Sequence, residues 1–397
     1  MRIEKLKVEN YKVYRNMEIS DLSSFSVFLG ANGSGKSTLF DVFGFLSDAL
    51  RDNVKTALNK RGGFREVYSR NGSGPIKIEI KFRNDEEGSR RQPLITYSIA
   101  IDMEEGKPVV ISEVLSYRRG QKGRPYKFLH FQKGSGSAIT NESEYFKEGI
   151  DFKDIREEQT LDSPDILAIK GLGQFQKFKA ISTFRRLLDN WFVLNFQIQA
   201  ARRVEEIGVS EHLSETGDNI AQVTRYIKDC RPEIFKHIIE KFKTRVPGME
   251  DVDAKETEDG RIVLKFKDGS FKDPFVARYV SDGTIKMFAY LVLLNDPEKH
   301  PLLCVEEPEN YLHVALLHEL AEEFRDYSRR GGQVFISTHS PDFVNALEPR
   351  ELFWLNKKDG ETVIKSTIDN KDAVALYNEG DRLGWLWKQG YLGETDA

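Results

Sequence analysis

The sequence predicts an α/β fold built on a largely parallel sheet, with a phosphate-binding loop at the start of its first long helix and a β-rich and helical insertion between its two halves. Three observations predict it. Gly30-Ala31-Asn32-Gly33-Ser34-Gly35-Lys36-Ser37-Thr38 fits the pattern G-x-x-x-x-G-K-[ST] between an apolar strand and a helix-like run. Two further apolar strands, 302–305 and 334–337, lead straight into Glu306-Glu307 and toward His339. From about residue 251 onward strands and helices alternate, as they do where crossover helices connect parallel strands.

In order along the chain, Met1 to Val8 alternates apolar and charged residues like a half-buried strand and lacks the apolar centre of a signal peptide. Residues 25–29 read as a strand and 39–50 as a helix. Residues 76–82, 95–101, 109–117 and 126–131 are rich in β-formers and are separated by polar turns at 84–89 and 104–106, which predicts an antiparallel meander. Helical patterns follow at 178–191 and 219–242, the second divided near Arg231-Pro232, where proline can begin a new helix. Neither sustains the heptads of a coiled-coil arm. The last part reads as strand 262–266, helix 284–294, strand 302–305, helix 312–327 and strands 334–337 and 352–355. The simplest division is a nucleotide-binding core lobe split into 1–50 and 251–397, with 51–250 as an inserted β-meander and helical lobe. The aromatic-rich tail from Leu383 to Leu392 is expected to pack on the core lobe.

Composition narrows the function. The 397 residues carry a formal net charge of −4, so no global basic field argues for nucleic acid. Cys230 and Cys304 lack C-x-x-C spacing, which excludes a disulfide framework, a zinc site and a zinc hook and leaves two packed thiols. No apolar run reaches the roughly 18 residues of a membrane span, so a cytoplasmic location and no membrane partner are expected.

The loop glycines, Gly33 and Gly35 above all, let successive N–H groups point at a polyphosphate, and the helix N-terminus adds partial positive charge. Lys36 is expected to reach the β- and γ-phosphates of ATP and Ser37 to ligand Mg²⁺, with Asn32 and Thr38 completing the nucleotide-binding set. Strand-end carboxylates in a parallel sheet arrive at the edge where ligands bind. Glu306 is suited to Mg²⁺ and Glu307 to polarising the water that attacks the γ-phosphate. His339, delivered by the next apolar strand, can donate to the γ-phosphate or accept from that water. Ser281 is a candidate N-cap for an apolar helix, and Gly283 allows close approach of an anion.

Together these motifs resemble the ABC-type ATPases of the SMC/RecF class, including the compact AAA family ATPases related to the OLD proteins. The resemblance covers residues 1–50 and roughly 270–350. It implies a P-loop NTPase with an ABC/SMC-like head, Gly30 to Ser37 as Walker A, Glu306-Glu307 as the Walker B pair, Asn310 to His313 as the D-loop region and His339 as the switch histidine. Lys12, in Asn10-Tyr11-Lys12, stands where the family's basic residue commonly touches phosphate. Ser281 and Gly283 match the signature segment, which implies that each acts in trans on ATP held by a second copy, so that the chain is a homodimer or larger homo-oligomer. Two positions depart from the usual pattern: Ser-Asp-Gly replaces Ser-Gly-Gly, and Glu306 stands where most members have Asp. The Q-loop glutamine is left open among Gln132, Gln174 and Gln176. Long coiled-coil arms and a TOPRIM nuclease domain are missing, which implies a separate effector protein. The function implied is an ATP-hydrolysing switch acting with DNA or that effector in defence or repair; the alternative is an ATP-binding scaffold or sensor with negligible turnover. A transporter subunit fits poorly because of the large insertion. Local support for DNA is limited to the basic turn 118–127, which also reads as a solvated hairpin tip, and to Arg202-Arg203, where a surface pair is the simpler reading.

Overall fold

The computed structural model describes residues 2–83, 94–117, 125–141, 154–358 and 360–393. Its centre is a six-stranded sheet in the order Trp191–Leu194, Leu302–Glu306, Gln333–Thr338, Phe25–Leu29, Leu352–Lys358, Glu361–Ser366. The first five strands are parallel, and the last turns back antiparallel as a hairpin. Because successive residues of a strand face opposite ways, a sheet covered on both sides needs unbroken apolar strands. That is what these strands supply. Val27, Leu29, Leu303, Val305, Val334 and Ile336 enter one core, while Phe28, Cys304, Phe335 and Phe353 enter the other.

The second core lies under the phosphate-loop helix, Lys36–Arg51, and the inner face of an eight-stranded antiparallel sheet. That sheet runs Tyr14–Ile19, Arg2–Tyr11, Ile76–Arg83, Ile95–Glu104, Lys107–Tyr117, Tyr126–Gln132, Ser135–Ile139, Arg156–Thr160. Alternation sets its faces: Ile76, Ile78, Ile80 and Phe82 are fully buried, with charged residues between them. The first core holds the apolar helix Asp282–Leu294, the helix Leu317–Arg329, the helices Ile220–Cys230 and Pro232–Arg245, and a small antiparallel sheet made by Glu205–Glu206, Arg261–Asp268, Met249–Glu256 and Phe275–Val276. The two helices break at Arg231-Pro232 as the sequence indicates, with Pro232 at the first helical position.

Three assignments change. Residues 2–19, expected with the core lobe, belong to the meander sheet, where Tyr14–Ile19 pairs with Arg2–Tyr11 and Arg2–Tyr11 with Ile76–Arg83, so the boundary at residue 50 does not separate the sheets. Trp191, expected at the end of a helix, begins a strand paired with Leu302–Glu306; the helix stops at Asp189, and the apolar run finds a ladder in the core sheet. The strand around 262–266 joins the small antiparallel sheet rather than the parallel one. Of the two cysteines Cys304 is buried, but Cys230 is exposed at the end of its helix rather than packed. The tail does pack: Leu383, Leu386 and Trp387 of helix Leu383–Lys388 enter the first core. The turn at 84–89 and residues 118–124 of the basic turn lie outside the described residues. Among the described residues, no helix is long and apolar enough to cross a membrane.

Candidate active site

The phosphate loop follows the strand Phe25–Leu29 and delivers Gly35 as the N-cap of its helix, at φ +105°, a conformation that favours glycine. Gly33 is likewise at φ +76°. The loop is braced from outside: the Tyr14 hydroxyl donates to Gly35 O at 2.7 Å and the Thr362 hydroxyl to Ser34 O at 2.7 Å. Lys36 is 6% exposed, and its ammonium donates to Gly30 O at 2.5 Å and Ala31 O at 2.9 Å, so the charge lies in the concavity of the loop. Asn32, Gly33 and Ser37 are exposed, and Thr38 is half-buried.

Ser37 and Glu306, far apart in the chain, meet: the Ser37 hydroxyl donates to Glu306 Oε2 at 2.6 Å. A hydroxyl and a carboxylate are the hard oxygen donors that suit Mg²⁺, which keeps its remaining positions for phosphate and water. The fit is good, and the longer side chain of Glu306 reaches Ser37 without difficulty.

Glu307 leaves the strand at φ +43° and swings its carboxylate toward the neighbouring strand end. Oε1 lies 3.0 Å from His339 Nδ1, and Oε2 accepts from Asn310 Nδ2 at 2.8 Å. Burial works against its charge, but the Asn310 amide, the His339 ring and Lys36 outweigh it and hold the carboxyl below its usual range. Glu307 is therefore ionised and oriented. Behind it Lys286, 6% exposed, donates to Glu307 O at 3.2 Å and Asn310 O at 3.0 Å. Burial pulls this lysine down to about 8, against the attraction of Glu309 and Glu307.

Lys286 belongs to the helix that Ser281 caps, where Ser281 Oγ accepts from Thr284 N at 3.2 Å. Ser281 is exposed, and Asp282 pairs with Arg202 at 2.5 Å, so one arginine of the expected surface pair is committed to this turn while Arg203 is exposed. Gly283 packs against Tyr311: a Cβ there would fall 2.6 Å from Tyr311 O. The signature segment is thus joined to the Glu307–Tyr311 turn of its own chain, while its serine is exposed with the hydroxyl held by Thr284. Lys12 pairs with Asp41 on the phosphate-loop helix at 2.5 Å, beside Arg61 at 2.6 Å from the same carboxylate.

Sequence reasoning missed Asn195. It follows the strand Trp191–Leu194 and lines a cleft of about 200 Å³ together with Lys286, Glu306, Glu307 and Asn310. Gln132 ends a strand of the meander sheet, and Gln174 and Gln176 lie in the turn between the helices Ala168–Leu172 and Lys179–Asp189, so none of the three stands at a strand end of the core sheet. The signal for Asn195 is the apolar run Trp191 to Leu194, whose first residue reads as the end of a helix and whose remainder the sequence leaves unassigned.

Residues 25–345 match the family described as "AAA domain, putative AbiEii toxin, Type IV TA system". The chain belongs to this AAA family. The AAA-family chain is 34% identical over 88 residues to the DNA double-strand break repair Rad50 ATPase of Pyrococcus abyssi, which is 22% of this chain and 9% of that protein. It is 23% identical over 187 residues to the Old nuclease of Escherichia phage P2, 43% of this chain and 30% of that one. It therefore spans less than a third of the length of either relative. Its fold is that of an SMC head: an SMC head bound to the C-winged helix domain of ScpA superposes with a TM-score of 0.56 at 16% identity, covering 92% of this chain and 97% of that one. A second SMC head, bound to the C-terminal domain of ScpA from Pyrococcus furiosus, gives 0.52 at 14% identity, covering 95% and 98%. By family the chain is an AAA domain, and by fold it is an SMC-like head.

Proposed function

We propose that this AAA-family chain hydrolyses ATP with Mg²⁺ and works as a switch, in which two copies close head to head around ATP and act with DNA or a separate effector protein in defence or repair. The observation that carries the reading is the convergence at adjacent strand ends of Ser37 with Glu306 and of Glu307 with His339.

The chemistry follows from those pairs. The N–H groups of the phosphate loop receive the phosphates, and Lys36 exchanges loop carbonyls for phosphate oxygens. Mg²⁺ held by Ser37 and Glu306 would neutralise charge on the transferring phosphoryl group. Glu307, ionised and aimed, takes the proton of the attacking water, a role typically worth about 10²–10⁴-fold. With Nδ1–H donated to Glu307, the His339 ring has Nε2 left to accept from water when neutral or to donate to the γ-phosphate when protonated. The in-trans part of the reading is supported by the exposed Ser281, flanked by Tyr279 and Tyr311, which are 76% and 68% exposed.

Mixing tests it. Lys36→Ala and Ser281→Arg are each expected to abolish phosphate release alone. Randomly mixed dimers regain one intact composite site in every heterodimer, about a quarter of wild-type activity. No recovery on mixing contradicts the shared site, and no phosphate release from the wild type leaves the scaffold reading in its place.

A further inference from the structure

Glu309 is two residues beyond Glu307 and 8% exposed. Burial pushes its carboxyl above the usual range, against hydrogen bonds that favour its charge, so an acid here is maintained at a cost. Its hydrogen bonds reach the residues around His339. Oε1 accepts from the Thr338 hydroxyl at 2.5 Å and from the His339 backbone N–H at 3.3 Å, and it lies 3.9 Å from His339 Nδ1. The Thr338 oxygen, its proton given to Glu309, accepts from Ser340 N at 3.0 Å. One carboxylate therefore fixes the backbone on both sides of the histidine, directly at residue 339 and through a hydroxyl at residue 340. Its second oxygen, Oε2, is buried without a hydrogen-bond partner among the described residues.

The same turn carries the other half of the pair. Glu307 and Glu309 flank Pro308, Asn310 holds Glu307 Oε2, and Lys286 clamps the carbonyls of Glu307 and Asn310. The 3.0 Å separation of Glu307 Oε1 and His339 Nδ1 joins two strand ends, and Glu309 is a direct side-chain tie between them.

We propose that Glu309 is the positioning residue of the hydrolytic site: it touches neither ATP nor water and acts by holding His339 against Glu307. The proposal rests on the hydrolytic reading above. Glutamine keeps an acceptor oxygen for the Thr338 hydroxyl and the His339 N–H, whereas alanine removes it and leaves both donors facing a small cavity. Misplacement of a catalytic group by about 1 Å costs on the order of 10²-fold.

The test compares wild type, Glu309→Gln and Glu309→Ala in the full chain, with kcat and KM for ATP and with the His339 imidazole observed by NMR. Glu309→Ala is expected to lower kcat by about 10- to 100-fold with KM within about twofold. Glu309→Gln is expected to stay within about threefold of wild type on kcat, and the His339 resonances should move in the alanine variant only. A kcat for Glu309→Ala within about twofold of wild type, or a KM that rises as far as kcat falls, overturns the proposal. If the alanine variant does not fold, a Glu309→Gln kcat reduced by more than about tenfold with unchanged KM overturns the rescue and the proposal with it. If the wild type does not turn over, the hydrolytic reading fails, and the imidazole spectrum decides this one: unchanged resonances in Glu309→Ala overturn it.

Discussion

Replacing Glu307 by glutamine tests the chemistry of the site with little change in shape. The carboxylate uses one oxygen toward His339 Nδ1 at 3.0 Å and the other toward Asn310 Nδ2 at 2.8 Å. A glutamine has one acceptor oxygen for those two neighbours, so its NH₂ must face a nitrogen. In a buried site an unmet donor costs about 1–3 kcal/mol. Here the side chain is 30% exposed and water can relieve most of that, so stability should change little. The loss falls on the reaction: without a base, kcat should drop by about 10²–10⁴-fold, about 3–5 kcal/mol of transition-state stabilisation. The contacts expected for ATP itself, at Lys36, Ser37 and Glu306, are untouched, so affinity should remain within about threefold. Steady-state phosphate release and calorimetric ATP binding measure both quantities. A kcat within about threefold of wild type would refute Glu307 as the base. Affinity lost in proportion to rate would refute the separation of binding from chemistry.

Lys36→Ala should weaken ATP binding by about 10- to 100-fold, the worth of charge-assisted hydrogen bonds, as read by calorimetry; unchanged affinity would put the phosphates elsewhere. Phe28→Ala removes a fully buried ring lying 5.5–6.3 Å from Phe353, Phe335 and Phe40, and denaturant melts should show a loss of about 3–5 kcal/mol. Glu113, buried, accepts from the N–H groups of Ala168 and Ile169 and from the Tyr97 hydroxyl. Burial pushes its carboxyl from the ordinary 4.5 up to about 7, so the folded state holds a proton that the unfolded state releases. Its contribution is present in full below pH 4.5 and is lost as pH rises to about 7, up to about 3 kcal/mol. Denaturant melts across that window should show this slope in the wild type, and Glu113→Gln should flatten it.

The site was legible where chemistry is written locally. A phosphate loop needs its glycines, lysine and hydroxyl in one nine-residue run, and a strand that must be apolar on both faces announces the acids or histidine at its end. Hence Lys36, Ser37, Glu306, Glu307 and His339 could be named before any of them was seen to meet. What pairs with what was not legible. Trp191 to Leu194 carries an apolar signal that a helix and a buried strand share, and only its ladder with Leu302–Glu306 decides between them. Asn195 and Glu309 drew no attention for the same reason, since their meaning lies in residues brought beside them by the sheet. Arg202 read as a surface residue because Asp282, its partner, is eighty positions away in the chain.

In the proposed switch, ATP closes two heads around a shared site. This closure is tested most directly by the solution mass of Glu307→Gln with Mg²⁺, with and without ATP. The expected result is a step up in mass, monomer to dimer or dimer to a larger assembly, that requires ATP and disappears when Ser281→Arg is added. A mass that ATP leaves unchanged would contradict it.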